Sequence, residues 1–240
     1  MRPFTPSQTV IGGCLLAFGA SFLNTGFLLS TGTSVSHLTG DIARIGSGLS
    51  TLGNADGFHM VNVATATFGF ILGAIISGFL LHHPTLEMSK PYGRILSALG
   101  ISLVAAHYSY LNFPILSIAI ASAVCGAQNA LASRYRGLVL RTTHLTGLFT
   151  DLGINLGMKL RGHMVEAWKL SIPLFITLSF LLGAIASSTF VLADKDNWML
   201  VAGIGYLIGG IAWSVYKRTR RVEQDGAGTY GEHEASNAHK

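Results

Sequence analysis

The chain has 240 residues, 50% of them hydrophobic and only 11% charged, with a mean hydropathy of +0.49. Soluble domains carry about a quarter charged residues, so a soluble globular fold is excluded. The net charge of +5 requires no nucleic-acid partner, because Lys and Arg gather in short stretches between apolar runs, as they do at one face of a membrane.

Six apolar runs follow one another along the chain: residues 10–30, 60–81, 95–111, 113–133, 170–192 and 197–216. Each approaches the ~20 residues that a helix needs to cross a bilayer core. The runs are continuous rather than alternating, which predicts helices and not the strands of a barrel. The first run is longer than the apolar part of a signal peptide and no small-residue cleavage pattern follows it, so it is predicted to stay as a span. The third is the shortest. Pro114 separates it from the fourth with almost no loop, which predicts a tight helical hairpin. Cys14 and Cys125 fall inside spans one and four without metal-ligand or redox spacing and are predicted to be free thiols. The segment 217–240 is polar and is predicted to be a disordered cytoplasmic tail.

With all six runs crossing and the N-terminus inside, every Lys and Arg except Arg44 and Lys195 falls on the inner side. The positive-inside rule therefore predicts two cytoplasmic termini. Trp168, Trp198, Trp213 and Tyr216 lie near span ends, where interfacial anchors belong.

The chain repeats itself. Ser36-His37-Leu38-Thr39-Gly40 returns as Thr143-His144-Leu145-Thr146-Gly147 at an offset of 107 residues. Gly46 and Leu49 return as Gly153 and Leu156 at the same offset. Asn24 pairs with Asn129 at an offset of 105, and Phe70-Ile71-Leu72-Gly73-Ala74-Ile75 with Phe180-Leu181-Leu182-Gly183-Ala184-Ile185 at 110. Each half (1–112 and 113–216) holds three spans. Three is odd, so the second half must enter the membrane the other way up, an inverted 3+3 repeat of the kind used by secondary transporters. The two His-Leu-Thr-Gly segments then approach from opposite faces. Each opens a modestly apolar stretch of about four turns, too short to span. It is either a surface helix or a re-entrant helix lining a cavity, whose N-terminus offers a positive dipole end to a ligand.

The residues Gly126-Ala127-Gln128-Asn129-Ala130, Arg141 to Gly147 and Thr150-Asp151-Leu152-Gly153, with Ser36 to Gly40 in the first half, resemble the YoaK-like family of bacterial inner-membrane proteins, which carries a domain of unknown function. The resemblance runs from about Thr9 to Tyr216 and implies six helices in a bacterial inner membrane, but no substrate. Two positions depart from the family pattern: an acidic residue is common where Asn24 stands, and Asn where Asp41 stands.

Polar groups at membrane depth are functional candidates. Asp41 either serves the site or pairs with Arg44, three residues on. Asp151 converges with Arg141 and His144 on one short segment and could instead pair with Arg141 or Arg136. His37 and His144 are proton-responsive groups or buried hydrogen-bond donors. Thr39 and Thr146 cap helices or touch ligand. Asn24, Gln128 and Asn129 line a cavity or bridge helices. No phosphate loop, Rossmann fingerprint, zinc-protease motif or nucleophile elbow occurs, and no His or carboxylate spacing defines a metal site, so neither cofactor nor metal is expected.

The expected function is a small secondary transporter or permease. Helix N-termini favour an anionic or carboxylate-bearing solute, with membrane lipids as the other partners. An enclosed site favours a homo-oligomer or internal pseudo-symmetry over a bare monomer. The alternatives are a non-transporting scaffold or lipid-interacting protein and, third, a membrane enzyme.

Overall fold

The computed structural model describes residues 4–50, 57–81, 86–131, 142–193 and 196–237. Of those, the side chains of 48, 50, 57–59 and 221–237 are not described. Eight helices follow one another: α1 (Pro6–Thr31), α2 (Leu38–Ser50), α3 (Gly57–Leu81), α4 (Tyr92–Tyr110), α5 (Pro114–Leu131), α6 (Leu145–Leu160), α7 (Ala167–Leu192) and α8 (Trp198–Asn237). No strand occurs among the described residues. Five of these helices, α1, α3, α5, α7 and α8, are long and apolar enough to cross a membrane. The third predicted run becomes α4, which has 19 residues, but Arg94, His107 and three tyrosines hold its hydropathy below that of the other five. Two short helices, α2 and α6, follow α1 and α5 and begin at the Leu of each His-Leu-Thr-Gly segment.

Local chemistry sets the boundaries. Thr5 and Gln8 close a capping box at the start of α1, satisfying two of its orphan N–H groups. Gly32, at φ 71°, stops the helix in the left-handed conformation that glycine adopts at no steric cost, and its N–H returns to Leu28 O. A turn at Leu111-Asn112 joins α4 to Pro114 at the head of α5, which is the expected tight hairpin.

The helices pack in pairs, α1 with α7, α3 with α5 and α4 with α8, and α4 also lies along α5. Small residues set the closest approaches. A Cβ on Gly73 would overlap the backbone of Ala123, and one on Gly69 that of Ala119, so α3 and α5 run parallel. A Cβ on Gly183 would overlap the backbone of Phe18, and Ser179 Oγ donates to Cys14 O at 2.7 Å, so α1 and α7 also run parallel. Gly93 meets Gly210 and Gly100 meets Gly203, so α4 and α8 are antiparallel.

The core gathers between α1, α4, α5 and α8 around Leu23, Phe27, Leu103, Ile118 and Met199, all buried. The outward faces are apolar as well: Phe68, Ile71, Ile75 and Phe79 of α3 and Phe175, Leu178, Leu182 and Ile185 of α7 are exposed. A continuous apolar surface of this kind belongs in hydrocarbon, not in water. Helix α6 follows the same logic. It leaves Phe149, Ile154, Leu156 and Met158 exposed, while Leu148 is buried and Asp151 and Asn155 are half-buried.

Candidate functional site

The first His-Leu-Thr-Gly segment is built around Asn24. After Gly32 the chain folds back along α1 and converges on the Asn24 side chain. Its Oδ1 accepts from Ser34 Oγ (2.6 Å), Val35 N (3.1 Å), Ser36 N (3.0 Å) and Ser36 Oγ (3.0 Å). Four donors on one buried oxygen form a concave nest of the kind that receives an anionic oxygen. Asn24 therefore acts as an internal acceptor that fixes the loop.

Ser34 is the junction of this loop. Its N–H donates to Asp41 Oδ2 (3.0 Å), its hydroxyl donates to Asn24, and its oxygen accepts from His37 N (2.8 Å). Asp41 is buried in the first turn of α2, where a carboxylate also meets the positive end of the helix dipole. Its other oxygen lies 4.0 Å from Arg44 Nη1. That Arg is exposed, so the pair is weak and the Ser34 N–H is the stronger partner. The sequence pattern points to Asp41 and His37 but not to Ser34. Its three bonds have no periodic signature.

His37 is half-buried and stands edge-on to Phe180 of α7, with ring centroids 5.2 Å apart. Its Nε2 is buried and has no hydrogen-bond partner among the described residues. Burial lowers the pKa of this imidazole, repulsion from His144 lowers it further, and attraction to Asp41 opposes both. The two histidines of the repeated motif, 107 residues apart in sequence, are thus in electrostatic reach of one another. His144 is exposed and occupies the N-cap position of α6 without a side-chain capping bond.

The second segment is tied by Gln128, which has no exposed surface. Its Nε2 donates to Leu16 O (2.7 Å) on α1 and to Thr142 Oγ1 (3.1 Å), and its Oε1 accepts from Tyr206 of α8. Neighbouring Asn129 is half-buried, and its Oδ1 has no partner among the described residues. Asp151 accepts at its backbone oxygen from Asn155 Nδ2 (2.7 Å). Arg141 and Arg136, its expected partners, lie outside the described residues. Thr39 and Thr146 sit inside the first turns of α2 and α6 and are exposed, so neither holds a cap position. Thr142 and Tyr206 are further polar residues at this level that the motif reading did not single out.

The site residues therefore form two groups. Asn24, Asp41 and His37 belong to a closed network around Ser34, with His144 nearby. Gln128 belongs to a second network that joins α1, α5, α8 and Thr142. Among the described residues no three His, Cys, Asp or Glu converge as metal ligands would.

No curated protein and no solved structure matches the chain. One family profile does, over residues 12–212, from α1 into α8 and across both repeated segments. This helical, membrane-type chain belongs to the family described as protein of unknown function DUF1275.

Proposed function

We propose that the protein is a small secondary transporter in a bacterial cytoplasmic membrane, with six crossings arranged as an inverted 3+3 repeat and both termini inside. The observation that carries this reading is the exchange symmetry of the helix packing, and the repulsion His37 feels from His144 agrees with it. A surface helix on each face would keep the two motif segments a bilayer apart. Two segments entering from opposite faces meet.

Exchange α1 with α5, α2 with α6, α3 with α7 and α4 with α8, and the three main pairings, α1 with α7, α3 with α5 and α4 with α8, are unchanged. The exchange also holds residue by residue. Gly73 against Ala123 becomes Gly183 against Phe18, and Gly93 against Gly210 becomes Gly203 against Gly100. Parallel α1 and α7, parallel α3 and α5, and antiparallel α4 and α8 are the directions that six alternating crossings require. The outward apolar face of α6, with Asp151 and Asn155 on its inner side, suits a helix embedded in lipid better than one lying on the surface.

The solute site lies between the two segments, near the midplane. On the first side Asn24 and Asp41 already occupy the backbone N–H groups of residues 34–36. Preference for an anionic group then rests on α6, whose first turn carries no acidic residue. Flux of a solute library into proteoliposomes tests the proposal. The parent should move at least one solute faster than His144→Ala and Asp151→Asn do. Equal leakiness of all three towards every solute would overturn it.

A further inference from the structure

We infer that the cleft between α1 and α8 is a binding site for a neutral lipophilic molecule carrying a hydroxyl or amide head. This site is distinct from the one between the histidines and does not depend on transport. The two helices touch towards one end, where Gly19 packs on Tyr206 and Gly26 on Trp198. They part in the other half, where a Cβ on Gly12, Gly205 or Gly209 would meet nothing within 4 Å. The space between them is about 390 Å³, within the range of small-molecule sites. Phe4 closes the far end by stacking on Trp213 (5.4 Å) with its edge towards Tyr92 (5.9 Å). Gln8 adds a hydrogen bond to Tyr216 (3.1 Å) there. The remaining way in is sideways, past the exposed Leu15, Gly205 and Gly209, from the hydrocarbon.

The lining selects the chemistry. Among the described residues it contains no Asp, Glu, Lys, Arg or His. Its polar end is formed by Thr142 and Tyr206, each more than nine-tenths buried, with Gln128 behind them. Gln128 donates to Thr142 Oγ1, which leaves the Thr142 hydroxyl hydrogen to donate elsewhere. Tyr206 donates to Gln128 Oε1, which leaves the phenol oxygen able to accept. This polar end of the cleft therefore presents one donor beside one acceptor, while Trp213 at the aromatic end adds an indole N–H with no partner among the described residues. A hydroxyl or amide completes both. A carboxylate would meet the Tyr206 lone pairs with no cation among the described lining residues, and an ammonium would find no counter-charge among them. A helix of a second copy, ~10 Å across with its side chains, does not fit a space of this volume. The charged headgroup of a phospholipid would have to pass the aromatic closure at Phe4 and Trp213.

The test is equilibrium binding of radiolabelled 1-decanol, decanamide, decane and decanoate to the full chain in lipid nanodiscs, with empty discs as background. Decanol and decanamide should bind saturably, one per chain, at least tenfold more tightly than decane or decanoate. Thr142→Val should reduce decanol to the level of decane. Gly209→Leu, which fills the cleft from one wall, should abolish the saturable component. Gly12→Leu fills it from the other wall and replaces that variant if it fails to insert as a monodisperse protein. No saturable excess over empty discs, equal binding of decane or decanoate, or unchanged binding in whichever filled variant folds would overturn the inference.

Discussion

Tyr206 on α8 donates its phenolic hydrogen to the side-chain carbonyl of Gln128 on α5, and both residues are buried. Through Gln128 the bond reaches α1 at Leu16 and the second motif segment at Thr142. One amide thus joins three helices and a loop. Hydrogen bonds within membranes contribute about 0.6 kcal/mol each, so its three bonds together stabilise by about 2 kcal/mol. Gln128→Leu should lose that amount, whereas Tyr206→Phe should lose about a third of it. Thermal unfolding of the purified chain in detergent measures both. Equal losses would mean that Gln128 is not the junction.

Glycines separate into two kinds. Those at helix crossings, Gly73 and Gly183, face backbone that cannot move aside, so Gly73→Ala and Gly183→Ala should each cost about 1–3 kcal/mol by overpacking. Those facing open space, Gly12 and Gly205, should accept Ala and gain up to about 1 kcal/mol in helix propensity. Melting temperatures of the four variants check the division. Because Gly73 and Gly183 make equivalent contacts, a large effect at one and none at the other would also count against the repeat.

Much of this architecture is legible in the sequence. The runs at 10–30, 60–81, 113–133, 170–192 and 197–216 coincide with α1, α3, α5, α7 and the apolar part of α8 (Trp198–Arg220) to within a few residues, because burial in lipid demands continuous apolarity that composition alone reveals. The starts of α2 and α6 are equally visible, through the repeated His-Leu-Thr-Gly. The side-chain networks are not. Ser34 lies next to Val35 in an ordinary loop, and Tyr206 is one aromatic in an apolar run, 78 residues from Gln128. Partners 78 residues apart leave no spacing to read. Asp41 shows the opposite failure: Arg44 is the obvious partner by helical spacing, yet the Ser34 N–H holds the carboxylate more closely.

The depressed pKa of His37 gives stability a pH dependence. The folded state binds a proton at this imidazole less readily than the unfolded chain does, so the unfolded state carries more protons in the window below the ordinary histidine value. Stability should be flat above about pH 6.5 and fall as the pH drops below it, since the unfolded state gains from protonation first. His37→Gln should flatten the curve. His144→Gln removes a repulsion and should narrow the window without abolishing it. Unfolding in detergent from pH 8 to pH 5 reads all three, and a parent curve that stays flat would show that the buried Nε2 exerts no such penalty.

Asn24 and Asp41 share Ser34 between them, one taking its hydroxyl and the other its N–H. The nest around Asn24 Oδ1 has four donors, more than a neutral amide oxygen with two lone pairs can use fully. A carboxylate would suit it better, except that Asp41 already places one negative charge beside the same serine. Asn24→Ala should be the most damaging change, because it leaves buried hydroxyl and amide donors unpaired at about 1–3 kcal/mol for each group that water cannot reach. Asn24→Asp alone should cost less, since the acceptor remains but faces the Asp41 charge. Asn24→Asp combined with Asp41→Asn should recover stability beyond Asn24→Asp alone, because the single charge then sits where the donors are most numerous. A double-mutant cycle on thermal unfolding gives the coupling directly. A double variant no more stable than the sum of its single changes would show that the two positions do not share one charge.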